Sequence, residues 1–276
     1  MTIAAAYLVS EGVVFGADSS TTVSARRPEG KSGGVLQVLS HAQKVYEVGE
    51  NSRFGICTWG AGRIGEISHR TIVARLAEEI KDDITVESLS NILGNLVESI
   101  AKNIPDFDFV GYYLGGWDPK THNPSCFQIE IKKGGKYKIT PISLGMCSFS
   151  GNPLFFTRAF KGFDHRLPEI LLRELKNLFP GDSLPKDFDR LFNEAFIKST
   201  VPLVAVGYQD LPIREAIDFI YSYLHITVKA VKFSFGAPWA GGPIEIGFVS
   251  SDRRFRWVKH KKFSSAIIEG EGEYDI

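Results

Sequence analysis

The chain has 276 residues, 43% of them hydrophobic and 23% charged, enough to bury a core in one large domain. Its 32 acids balance 32 bases, so whole-chain attraction to nucleic acid or to an anionic membrane is not expected. Three cysteines, Cys57, Cys126 and Cys147, lie at no metal-ligand or disulfide-framework spacing and read as buried free thiols of a reducing compartment.

The amino-terminal stretch MTIAAAYLV has no basic segment ahead of its apolar run, and Ser10 and Glu11 interrupt that run, so it does not read as a secretion signal. No stretch is long and apolar enough to span a bilayer, and a cytoplasmic location is the default. Residues 3–9 and 13–17 are apolar runs on either side of Ser10-Glu11-Gly12, the pattern of a tight hairpin buried on both faces. Residues 19–42 are polar and predict an extended loop or widened hairpin; the organisation is one domain with a long loop at 19–43. Strands are expected at 44–48 and 54–58, followed by the glycines Gly60, Gly62 and Gly65.

Apolar residues at 64, 67, 72, 73, 76, 77 and 80 have a helical period and predict a helix over 64–81. Thr85, in N-cap position with Glu87 behind it, opens a second helix over 86–102 that Pro105 follows. Strands follow at 109–116, 125–132 and 136–143, the last two joined at Gly134-Gly135. A helix near 153–161, a helical insertion over about 162–206, a helix over 211–230 and strands at 243–250 and 254–259 complete the chain. Strands and helices are segregated, not alternating, which predicts an α+β arrangement of stacked layers.

Several short stretches occur in a telling order: Thr2 opening a strand, GVVFGADS leading into Asp18, Lys44-Val45-Tyr46, GICTWG at 55–60, LGGWD at 114–118, SGNP at 150–153 and GGPIEIGFV at 241–249. Together they resemble the proteasome β-subunit branch of the N-terminal-nucleophile hydrolases. In its start the chain is most similar to the peptidase subunit of the bacterial two-component ATP-dependent protease and to the ancestral β-subunit group. The resemblance implies a four-layer αββα sandwich, with two antiparallel sheets between helical layers, and a homo-oligomeric ring.

The resemblance also implies a threonine-type peptidase. Thr2, freed by removal of Met1, would be nucleophile and, through its α-amine, base. A terminal amine has a reference pKa of roughly 7.7–8.0, suited to proton transfer near neutrality. Lys44 would be a fixed cation beside Thr2, and Asp18 its carboxylate partner. Gly60 would offer its N–H to the oxyanion, and Ser150 would hydrogen-bond the amine; as a residue alone, Ser150 reads equally as a cap for the helix near Pro153. Gly62 and Gly65 read as turn formers, and Thr58, beside the expected side-chain pocket, predicts no charge selectivity there.

The family often has an Asp and, three residues on, a Ser before its last glycine pair, where they help orient the amine. Here that stretch is Ala237-Pro238-Trp239-Ala240. Three readings stand: a peptidase acting on peptide or unfolded protein, fed in one version by an ATPase; a catalytically inactive ring or scaffold subunit; and an amidase acting on a small non-peptide amide. No cofactor or metal is called for, since His41, His69, His122, His165, His225 and His260 are scattered and Asp106-Phe107-Asp108 reads as a solvated turn. The basic, aromatic run at 253–262 reads as a terminal strand with one wet face, so nucleic acid and membrane partners are not expected.

Overall fold

The computed structural model describes residues 2–26, 32–105, 107–134, 136–152, 154–164, 166–179, 185, 187–199, 209–234 and 239–261. The two apolar runs at the start form Ile3–Val9 (β1) and Gly12–Ala17 (β2), paired antiparallel from Ala4 opposite Ala17 to Val9 opposite Gly12. Every residue of both strands is buried, as the unbroken apolar sequence requires. The polar stretch after them contains a separate ribbon, Thr21–Arg26 (β3) and Ser32–Leu39 (β4).

Val45–Glu47 (β5) and Phe54–Gly60 (β6) follow, then two very short strands, Arg63–Ile64 (β7) and Ile67–Ser68 (β8). The helix expected over 64–81 therefore begins later, as His69–Glu78 (α1), with the Ser68 hydroxyl accepting the Thr71 N–H at its N-cap. Ile64 and Ile67 have helical spacing, yet they pair across the β7–β8 hairpin, and Gly65 with φ +59° makes that turn. The second helix, Val86–Ala101 (α2), is capped as the sequence predicts, Thr85 Oγ1 accepting the Ser88 N–H at 3.1 Å.

Phe109–Asp118 (β9), Asn123–Lys132 (β10), Lys138–Pro141 (β11) and Cys147–Gly151 (β12) come next. The last of these is not evident in the sequence. Its short polar-apolar run becomes a strand by pairing with β1, Tyr7 opposite Cys147 and Ile3 opposite Gly151. Leu154–Lys161 (α3) is the helix expected near 153–161, and Leu167–Leu178 (α4) and Phe188–Ser199 (α5) lie in the stretch expected to be a helical insertion. Ile213–Lys232 (α6), Glu245–Ser250 (β13) and Arg256–Lys259 (β14) end the described chain.

The chain divides into two units, Met1–Asn152 with Gly207–Ile276, and Pro153–Val206. The smaller unit holds α3, α4 and α5; within it Lys176 pairs with Asp189 at 2.6 Å and Asp164 accepts both Arg158 and Arg166. In the larger unit one sheet has the order β12-β1-β2-β13-β14 and another β11-β10-β9-β6-β5, every neighbouring pair antiparallel. Ala4, Ala6, Leu8, Phe15 and Ala17 of the first sheet share a buried cluster with Cys57, Trp59, Tyr113 and Cys126 of the second. On its other face the first sheet meets α6: Tyr7 is edge-on to Phe219 at 5.4 Å, and a Cβ at Gly16 would come within 2.8 Å of Leu224. Phe54, Ile56, Tyr112, Leu114 and Ile129 turn the far face of the second sheet to Ile72 and Leu76 of α1 and Leu89, Leu93 and Val97 of α2. Each such fully buried aliphatic side chain contributes about 1.5–3 kcal/mol. Among the described residues no helix is long and apolar enough to cross a membrane.

Candidate active site

Thr2 directly precedes β1 and is 6% exposed, its carbonyl accepting the Asn152 N–H at 3.0 Å. Gly151, with φ +93°, makes this closure possible, since a Cβ there would overlap the Thr2 carbonyl oxygen. Met1, which precedes Thr2, lies outside the described residues.

Asp18 follows the end of β2 and is fully buried. Its Oδ1 accepts the Ile3 N–H at 3.1 Å and Lys44 Nζ at 2.7 Å; its Oδ2 accepts the Ser20 N–H at 3.1 Å and the Gly241 N–H at 2.9 Å. The peptide joining Thr2 to Ile3 and the Lys44 ammonium thus meet on a single carboxylate oxygen. A carboxylate accepts in all directions and donates in none, so it suits a position ringed by four donors.

Lys44 is held by its backbone as well. Its carbonyl accepts the Thr58 N–H at 2.9 Å, and its N–H donates to Glu245 Oε2 at 3.2 Å. Burial pulls the Lys44 ammonium below its usual pKa, and Asp18 opposes that pull by contact and by charge. Glu245, also fully buried, has Lys261 Nζ at 2.9 Å and His260 Nδ1 at 3.0 Å from its Oε1. Neither approach has the angles of a hydrogen bond; Lys261 directs a hydrogen bond to the Ala42 carbonyl instead, at 2.9 Å. Two acids, Asp18 and Glu245, and two lysines, Lys44 and Lys261, therefore alternate through the interior. A lone acid in the apolar run PIEIGF is the signal that singles out Glu245; nothing local points to its partners.

Gly60 ends β6 with φ +91°, and a Cβ there would lie 2.8 Å from the Phe109 carbonyl. The Thr58 N–H points to Lys44, while the Ala61 N–H points the other way, to the Phe109 carbonyl at 2.9 Å. By the alternation of an antiparallel strand, the Gly60 N–H turns to the Lys44 side, past the end of β5. Ala61 is also fixed through its carbonyl, which accepts His69 Nε2 at 2.7 Å; Nδ1 of the same ring is 3.0 Å from the Tyr112 hydroxyl. A carbonyl only accepts, so Nε2 carries the proton and Nδ1 accepts from Tyr112. Burial lowers the His69 pKa and keeps this ring neutral. Thr58 is tied to the next strand, its hydroxyl donating to the Gly111 carbonyl at 3.1 Å.

Ser150 is a strand residue of β12, opposite Ala4, and does not occupy a helix N-cap. Its hydroxyl is 2.5 Å from that of Tyr113, whose ring packs tilted against Trp59 at a centroid distance of 4.5 Å. The hairpin head thus brings together Thr2, Asp18 and Lys44, with Ser150 on the strand beside it and Gly60 two residues beyond the Lys44 partner Thr58. Of the APWA stretch, Ala240 is buried and Trp239 is described, while Ala237 and Pro238 lie outside the described residues, as do Asp106 and His165.

No protein-family model matches the chain, and no curated protein matches its sequence. Among solved structures it is similar to a Gly-1 mutant of Anbu from Hyphomicrobium sp. strain MC1, with a TM-score of 0.54 and 15% identity over 94% of this chain and 87% of that one. It is likewise similar to Anbu (ancestral beta-subunit) from Yersinia bercovieri, with a TM-score of 0.53 and 13% identity over 94% of this chain and 88% of that one. At such identities the likeness is one of fold: a mixed α/β arrangement with antiparallel sheets.

Proposed function

We propose that the chain is an N-terminal threonine hydrolase of the proteasome β-like group, cleaving peptide bonds through Thr2. The observation that carries this reading is the buried Asp18–Lys44 pair, whose shared oxygen Oδ1 also holds the peptide immediately after Thr2. The order of α6, two facing sheets, then α1 with α2 supports the four-layer αββα sandwich.

In this mechanism Thr2 Oγ adds to the substrate carbonyl carbon while its proton passes to the α-amine. Lys44 lowers the cost of negative charge on Oγ, and the Gly60 N–H receives the developing oxyanion, a donor of a kind worth about 2.7–4 kcal/mol. The protonated amine then gives its proton to the leaving nitrogen as the C–N bond breaks. Water, losing a proton to the same amine, releases the acyl group from Oγ. A homo-oligomeric cytoplasmic ring, with or without an ATPase feeding it, belongs to the same proposal. A second reading, an inactive ring or scaffold subunit, is favoured by alanine at 237 and 240 in place of Asp and Ser.

Intact mass and N-terminal sequencing of the native protein, with β-lactone labelling, test the proposal. A start at Thr2 with the label on that residue, lost in Thr2→Ala, is expected. A uniform start at Met1 with no label overturns it.

A further inference from the structure

Ser150 belongs to a longer run of polar side chains crossing between the two sheets. Ser148 and Ser150 sit two apart on β12 and so share a face, and Gln128 lies opposite Tyr113 in the β9–β10 pairing. The Tyr113 hydroxyl is 2.5 Å from Ser150 Oγ and 2.9 Å from Ser148 Oγ; Ser148 Oγ is 3.5 Å from Gln128 Oε1, and Gln128 Nε2 is 3.1 Å from Glu130 Oε1.

The far end of this run dictates its direction. A carboxylate oxygen accepts, so the amide nitrogen of Gln128 faces Glu130 and its oxygen faces Ser148. Ser148 then spends its one proton on Gln128 and can only accept from Tyr113. Tyr113 in turn spends its proton on Ser148 and can only accept from Ser150. The Ser150 proton is thereby directed to Tyr113, and both remaining Ser150 lone pairs are free to accept. Burial raises the Tyr113 phenol pKa, which keeps that proton in place.

From this we propose that Tyr113 is a positioning residue, the middle of a one-way chain Ser150 to Tyr113 to Ser148 to Gln128 to Glu130 that makes Ser150 an obligate acceptor for the Thr2 amine. The proposal rests on the reading of Thr2 as nucleophile. An accepting Ser150 binds an amine N–H and leaves the nitrogen lone pair for the Oγ proton. A donating Ser150 would occupy that lone pair. The chain supplies from β9 and β10 an orienting device for the amine in a sequence that has alanine at 237 and 240.

Tyr113→Phe keeps the ring on Trp59 and removes only the hydroxyl. Its kcat on a fluorogenic peptide should fall about tenfold to a hundredfold, with KM little changed. Its acidic limb should move to lower pH, because an accepting Ser150 stabilises the ammonium form. Ser148→Ala frees Tyr113 to donate to Ser150 and should move the limb the same way; a merely structural loss would lower kcat and leave the limb in place. An unmoved limb in both variants overturns the proposal. Urea midpoints of Tyr113→Phe, Ser148→Ala and the double variant read the chain without turnover. Non-additive shifts support it and additive shifts overturn it, even in a protein whose lack of Thr2 labelling has already disproved the nucleophile.

Discussion

Asp18 Oδ2 accepts the backbone N–H of Gly241, 223 positions away in sequence, on the oxygen opposite the one that holds Lys44. The carboxylate therefore joins the start of the chain, the loop before β5 and the approach to β13 in one buried knot. All four of its partners are donors, which makes Asp18→Asn a harsh substitution despite its similar shape. The new amide must turn its NH2 toward either the Lys44 and Ile3 donors or the Ser20 and Gly241 donors, and Lys44 loses its counter-charge. Removing one partner of a buried pair costs about 3–5 kcal/mol, so the urea midpoint should drop by that equivalent. A variant as stable as the parent would show that Asp18 is not held as described.

Gly60→Ala separates stability from activity. The backbone at φ +91° and the nearby Phe109 carbonyl oppose a Cβ, a strain of about 1–2 kcal/mol in stability. Relief of that strain changes φ at residue 60, which rotates the Trp59–Gly60 peptide and moves the N–H that faces the Lys44 side. Under the proposed function, peptidase turnover should therefore fall by about 10²–10³, more than the loss of stability explains. Thermal melting and steady-state kinetics on the same preparation check both.

The parts of the fold legible in sequence are those with local causes. The β1–β2 hairpin follows from two apolar runs about a polar turn, and α2 from the Thr85 cap and its apolar stripe. The α1 start is misread because Ile64 and Ile67 satisfy a helix and a tiny hairpin equally. The strand β12 is missed because pairing with β1, more than 130 positions away, makes it one. The site divides in the same way. Thr2, Asp18, Lys44, Gly60 and Ser150 stand out by their order in short motifs. Glu245 is marked only as a lone acid in an apolar run, and Lys261, His69 and Tyr113 act through partners that only the folded chain supplies, so no spacing reveals them.

The buried His69 gives stability a defined pH dependence. Its folded pKa lies below the ordinary value of 6.5, so between the two values the unfolded chain binds more protons than the folded one. Stability then rises with pH through that window; it is fully present above 6.5 and is lost as pH falls toward the folded pKa. His69→Gln keeps a donor for the Ala61 carbonyl and removes the titration. Urea midpoints compared from about pH 8 down to about pH 5 should show the parent losing stability faster than the variant. Parallel curves would mean that His69 titrates alike in both states.

The pair Glu245–Lys261 offers a cleaner cycle than Asp18–Lys44, because each partner has a single further tie to the backbone, Glu245 to the Lys44 N–H and Lys261 to the Ala42 carbonyl. Glu245→Gln leaves Lys261, its side chain 12% exposed, without a counter-charge in a region that already contains the Lys44 ammonium. The single variant should lose about 3–5 kcal/mol. Lys261→Met leaves Glu245 with His260 and the Lys44 N–H, and should lose less. In the double variant both charges are gone, while the carbonyl of the introduced side-chain amide still accepts the Lys44 N–H. The combined loss should therefore be smaller than that of Glu245→Gln alone. Urea unfolding of all three proteins measures the coupling. Additive losses would place Lys261 outside the cluster.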